Sequence, residues 1–137
     1  MGEVLPFLDT NILLRHLAQD HPDHSPRATA YLSRVEAGEI RVRTADTVVF
    51  EAVFTLQRHY GLPRARIRDI LLPLLQLPGI VLPGKRHLPD VFDLYVSHSI
   101  SFVDAYHASL TRRTGITEIV SFDEDFDKIA GVHRIEP

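Results

Sequence analysis

Apolar residues in this chain come in short runs that stop abruptly at polar clusters. Val4, Leu5, Phe7 and Leu8 break at Asp9-Thr10-Asn11, and Ile12, Leu13, Leu14 and Leu17 then resume at helical spacing. The first run predicts a short buried strand at Val4–Leu8, with Pro6 unable to donate to a ladder; the second predicts a helix over Asn11–Ala18. Ser25 as cap, Pro26 at the first helical position and a stripe of Ala28, Tyr31, Leu32 and Val35 predict a second helix stopped at Gly38. A strand is expected at Glu39–Thr44. VVFEAVFTLQRHY forms a helix ended by Gly61, and ARIRDILLPLLQL another, which Pro73 should kink or split. Beyond a weak strand at Gly79–Leu82 come helices at Pro89–Val96 and Ser101–Thr114. A strand at Ile116–Val120, a brief helix at Asp123–Ile129 and a last strand at Val132–Ile135 complete the chain. This alternation predicts an α/β fold, a mostly parallel sheet with helices on both faces.

The 137 residues fit a single domain, residues 1–137, and no repeat or linker marks a second. Cysteine is absent, which removes disulfides, thiolate chemistry and Cys-based zinc sites. No leader or membrane-spanning run is visible, so a cytoplasmic protein is expected. The net charge of −3, from 15 basic and 18 acidic residues, argues against coating nucleic acid non-specifically. Charge is uneven: Arg58, Arg64, Arg66 and Arg68 lie close together, as do Glu118, Asp123, Glu124, Asp125 and Asp127. The arginine cluster reads equally as a solvated helix face or a contact for RNA or protein.

Acidic residues at four places in the chain carry the candidate chemistry, and each place also has a bland reading. Asp9 stands where a strand meets a helix and serves as cap or ligand, a role shared with Thr10 and Asn11. Glu51 is the one charge in TVVFEAVFTL, a segment apolar enough for burial, where a glutamate needs a partner or a metal. The bland alternative is a narrow solvent stripe through Glu51, Thr55 and Arg58. Asp104 follows Ser101 in a capping-box pattern, with His107 one turn on reading best as a surface histidine. Asp123 and Asp125 follow the strand GITEIV and Ser121-Phe122, as ligands or as a turn and helix cap. Taken together, carboxylates at strand ends and on helices repel one another unless a cation neutralises them, and oxygen-only donors suit Mg²⁺ or Mn²⁺. The scattered histidines offer no rival cluster.

FLDTNILL, VVFEAVFTL, SFVDAYHASL and IVSFDEDFDKI, in that order, resemble the PIN-domain family of metal-dependent ribonucleases, in particular its small VapC-type toxin branch. The resemblance runs over essentially the whole chain. It implies a three-layer α/β/α domain around a mostly parallel central sheet. It implies Asp9, Glu51, Asp104 and Asp123 as catalytic and metal-holding residues, with Thr10, Asn11 and Ser121 orienting ligands or phosphate. Asp125 is an auxiliary acid or a local cap. The activity implied is endoribonucleolytic hydrolysis with Mg²⁺ or Mn²⁺, in which activated water attacks the phosphate in line and leaves a 5′-phosphate and a 3′-hydroxyl. The partners implied are an RNA substrate, a second copy in a homodimer, and a small antitoxin that lays a basic residue into the acidic groove. A non-catalytic PIN-like domain binding RNA or protein is the alternative; four intact carboxylates argue against it. A haloacid-dehalogenase-type phosphatase would want an aspartate where Asn11 stands, and a receiver domain would want paired acids and a late lysine that are not evident.

Overall fold

The computed structural model describes residues 4–137. The chain resolves into two compact units, one running through Arg86 and the other from His87 to Pro137. The expected fold class is the one observed, a mixed α/β fold with short, parallel strands flanked by helices: every strand pairing among the described residues is parallel.

In the first unit, helices α1 (Thr10–Ala18), α2 (His24–Glu36), α3 (Asp46–Arg58) and α4 (Arg64–Leu75) accompany strands β1 (Val42–Arg43) and β2 (Ile80–Val81). β1 pairs in parallel with β2, Val42 opposite Ile80, so α3 and α4 form the crossover that parallel pairing demands. On its other side β1 meets residues 6–8. There Arg43 N–H donates to the Pro6 carbonyl at 2.9 Å and Leu8 N–H to the Arg43 carbonyl at 2.7 Å. Pro6 is tolerated because it enters the ladder only as an acceptor. The buried strand expected at Val4–Leu8 is thereby reduced to a bridge at Phe7. Leu8 is 3% exposed, while Phe7 is 57% and Val4 95% exposed. The Thr44 hydroxyl, itself buried, donates to the Leu8 carbonyl at 3.0 Å and fixes the strand end that precedes Asp9.

Two local expectations change. Ser25 lies inside α2, not at its cap, because the His21 imidazole takes that task. Its Nδ1 accepts from the backbone N–H of Asp23 (3.2 Å) and His24 (2.9 Å), while Ser25 Oγ accepts from His21 N–H. α4 continues through Pro73 to Leu75, so its last turn is not split off; the proline is exposed and forfeits its own bond to the carbonyl four residues back, that of Asp69. Leu13, Leu32, Val35, Ala52, Leu56, Ile67, Leu71 and Ile80 are buried and form the core.

The second unit holds α5 (Leu88–His98), α6 (Phe102–Arg113), β3 (Glu118–Val120) and β4 (His133–Ile135), with a 3₁₀ turn at Glu124–Lys128. β3 and β4 pair in parallel, Ile119 opposite Arg134. Phe92, Tyr95 and Phe102 pack edge-on and tilted, with ring centroids 4.8 to 6.5 Å apart, and join α5 to the start of α6. No helix among the described residues is long and apolar enough to cross a membrane.

Candidate metal centre

The start of α6 is set by Ser101, whose Oγ accepts the Asp104 backbone N–H at 3.0 Å. The capping pattern is therefore real, and it fixes Asp104 in the first turn. At the end of β3 the chain turns at Ser121. The Ser121 N–H donates to the Ile135 carbonyl at 3.1 Å, and its Oγ accepts the Asp123 N–H at 2.9 Å. Asp123 caps the 3₁₀ turn in its own right, Oδ1 accepting the Asp125 N–H at 2.9 Å.

These two junctions bring three acids together. One carboxylate oxygen from each of Asp104, Asp123 and Asp125 lies within 4.8 Å of the others; Asp104 and Asp125 are half-buried and Asp123 is exposed. Burial pushes the Asp104 carboxyl above its ordinary range, and the charge and hydrogen bond of Asp123 push it the same way. A hydrogen bond from Ser101 and the proximity of His107 oppose that rise. Asp104 is thus a carboxylate whose charge is disfavoured first by burial and then by a neighbouring acid, a condition a cation relieves. His107 is on the exposed face, as expected.

Two basic residues frame the cluster, and neither was singled out from the sequence. Lys128 Nζ lies 2.9 Å from Asp125, one turn on. Arg134, on β4, forks Nε and NH2 onto Asp127 at 3.1 and 3.2 Å and donates from NH1 to the Ser121 carbonyl at 3.2 Å and to Glu136 at 2.6 Å. These anionic partners raise its pKa. Arg134 therefore ties the Ser121 turn to the 3₁₀ segment that carries Asp125. A lone arginine in HRIEP carries no periodic signal; parallel pairing to β3 is what puts it in place.

In the first unit, Asp9 occupies the N-cap position of α1 with extended backbone, φ −84° and ψ 159°, yet its side chain makes no capping hydrogen bond. Its carboxylate is exposed and uncommitted to the helix. Thr10 is 2% exposed, and its hydroxyl donates to Glu51 Oε2 at 3.2 Å, joining α1 to α3. Glu51 itself is exposed, on a stripe with Phe54, Thr55 and Arg58. The burial its apolar neighbours suggested does not occur, since Val48, Val49, Ala52, Val53 and Leu56 cover the opposite face. Asn11 is exposed one residue after Thr10.

All these donors are hard oxygens, with no thiolate or imidazole among Asp104, Asp123 and Asp125, so the set fits Mg²⁺ or Mn²⁺ by chemistry. The model for the PIN domain matches residues 7–132. A VapC ribonuclease from Aquifex aeolicus (strain VF5) is 23% identical over 133 residues, 97% of each chain. With the match spanning both the Asp9 junction and the Asp104–Asp123–Asp125 cluster, the chain belongs to the PIN-domain family.

Proposed function

We propose that the protein is a metal-dependent endoribonuclease and the toxin of a toxin–antitoxin pair, one nuclease domain in which Asp9, Glu51, Asp104 and Asp123 hold Mg²⁺ or Mn²⁺ and perform catalysis. The observation that carries this reading is the convergence of Asp104, Asp123 and Asp125 within 4.8 Å in a chain of this family. When bound, the cation supplies a water of lowered pKa and screens the charge that develops on the phosphate.

The chain's own residues prepare this chemistry. Thr10 pins Oε2 of Glu51, leaving Oε1 to accept a proton. Ser121 fixes the backbone of Asp123, and Asp125 serves as auxiliary acid, its charge shared with Lys128. Asn11, exposed beside Thr10, is placed to orient phosphate. The crowded carboxylates repel an RNA phosphate without a cation, so the same geometry makes activity dependent on metal. An antitoxin that presents a basic side chain to the acids would silence the site by the same electrostatics, and the toxin would work as a homodimer.

The test is a pool of end-labelled RNA hairpins incubated with the protein in Mn²⁺ and mapped for product ends. Discrete cuts with 5′-phosphates, abolished by EDTA and by Asp123→Asn, are expected. Protein that binds Mn²⁺ and leaves every RNA intact would put the non-catalytic reading in its place.

A further inference from the structure

We infer that the groove between α1 and α3 is the track along which single-stranded RNA leaves the Thr10–Glu51 pair, with Arg15 as its phosphate contact and Phe54 as a stacking platform for a base. This deepens the ribonuclease reading and rests on it.

The track follows from two helical stripes. On α3, Glu51 and Thr55, followed by the C-cap residue His59, recur every fourth residue, and on α1 Asn11 and Arg15 do the same, so one stripe starts at Glu51 and the other beside Thr10. Asn11, Arg15, Asp20, Thr55, His59 and Tyr60 line a cavity of about 390 Å³. From Glu51 to His59 the helix rises about 12 Å, a strand segment's length rather than an ion's.

Arg15 is held open for a ligand. Its NH1 donates to Asp20 Oδ1 at 3.2 Å, and Asp20 Oδ2 accepts from the Tyr60 hydroxyl at 2.7 Å. Asp20 so fixes Arg15 and Tyr60 at one wall while, among the described residues, the remaining guanidinium donors bond to no other group, the planar fork that phosphate recognition uses. On the other side of the Glu51 line, Phe54 is 62% exposed, with the Arg58 guanidinium 5.7 Å from its ring centroid. Single-stranded RNA bases stack on exposed aromatic rings without regard to sequence, and the guanidinium plane of Arg58 offers a second such surface beside the ring. A phosphate groove and a stacking surface flanking one carboxylate fit a nucleic-acid strand better than an acidic peptide, which would have no use for the ring.

The experiment is fluorescence anisotropy of a labelled, unstructured RNA oligonucleotide with the full chain in EDTA, so that binding is read without metal or cleavage. Arg15→Gln should weaken binding about five- to tenfold and lower the salt slope by about 0.7, one phosphate contact. Phe54→Ala should weaken it about fivefold or more, within the range of a lost base stack. Asp20→Asn breaks the same ion pair but keeps the cation, so it should bind as tightly as the parent or tighter; a merely structural Arg15 would make both variants weak, which overturns the proposal. Arg34→Gln, an exposed arginine on α2 paired with Glu39, should change nothing. Equal binding by parent and Arg15→Gln also overturns it, as does capture of a poly-glutamate peptide, but not RNA, by the groove. Cleavage in Mn²⁺ by the same preparations separates the two ideas. Groove-dependent binding without cleavage sinks the nuclease reading alone, and cleavage with groove-independent binding sinks the track alone.

Discussion

Replacing Asp104 with asparagine should stabilise the metal-free protein and remove the stabilisation that metal confers. Oxygens of Asp123 and Asp125 lie within 4.8 Å of one on Asp104. At that distance each like-charge pair costs about 0.9 kcal/mol in water and about 3.5 kcal/mol at an effective dielectric of 20. Asp104 is half-buried and Asp123 exposed, and Lys128 offsets Asp125, so the lower figure governs and the relief is about 1–2 kcal/mol. Against it stands the loss of a negative charge in the first turn of α6, about 0.3–1 kcal/mol. The Ser101 cap is untouched, because it binds the backbone N–H, and an asparagine Oδ1 still accepts the bond that Ser101 makes to the side chain. The net is about 1 kcal/mol in favour of the variant at neutral pH, a rise in Tm of about 3 °C. The sign with pH follows from the raised carboxyl. Between the ordinary 3.8 and the higher native value the native state holds the proton more tightly. Wild-type stability therefore falls as pH climbs through that window, and the variant's advantage, full above it, closes in acid. Thermal melts in EDTA read this directly. In Mn²⁺ at a hundredfold excess over its dissociation constant the wild type should gain about 2.7 kcal/mol and overtake the variant. A variant that melts below wild type in EDTA, or gains as much from Mn²⁺, refutes a crowded ligand at Asp104.

Thr10→Val keeps the buried shape and deletes the hydroxyl that holds Glu51. Stability should change by less than about 1 kcal/mol, while kcat/KM for RNA cleavage falls about tenfold, split from stability by melting the same samples. Arg134→Gln releases Asp127 and the Ser121 carbonyl. By calorimetric titration, Mn²⁺ affinity should drop about tenfold, the usual cost of losing an outer support. Gly79→Ala would set a Cβ 2.9 Å from the Val35 carbonyl and 3.2 Å from that of Ile40. Backbone must move, so urea unfolding should show a loss of about 1–3 kcal/mol, with Mn²⁺ affinity of the folded fraction unchanged.

The alternation of elements was legible in the sequence because each helix buries one stripe, and glycines such as Gly38, at φ 80°, stop where a left-handed residue is needed. The limits of that legibility are physical. The Val4–Leu8 run reads as a buried strand by hydropathy alone, but of its residues only Leu8 is buried, and hydropathy cannot see which side of a strand finds a partner. Glu51 read as buried because its neighbours are apolar, although five of them suffice for one face and leave another to solvent. Ser25 read as a cap, since sequence rules do not anticipate an imidazole doing that work. The acids are the hardest case, and the structure explains why Asp9, Asp104 and Asp123 each read as cap and ligand at once. Asp123 spends Oδ1 on the Asp125 N–H and keeps Oδ2. Asp104 is positioned by a cap that uses its N–H, and its carboxylate, although Ser101 also reaches it, keeps an oxygen at the cluster. Asp9 takes the cap position without the capping bond. A carboxylate has two oxygens and a residue has a backbone besides, so the local role and the ligand role compete for different atoms. Position in sequence reports the first, and only convergence in space, as at Asp104, Asp123 and Asp125, reports the second.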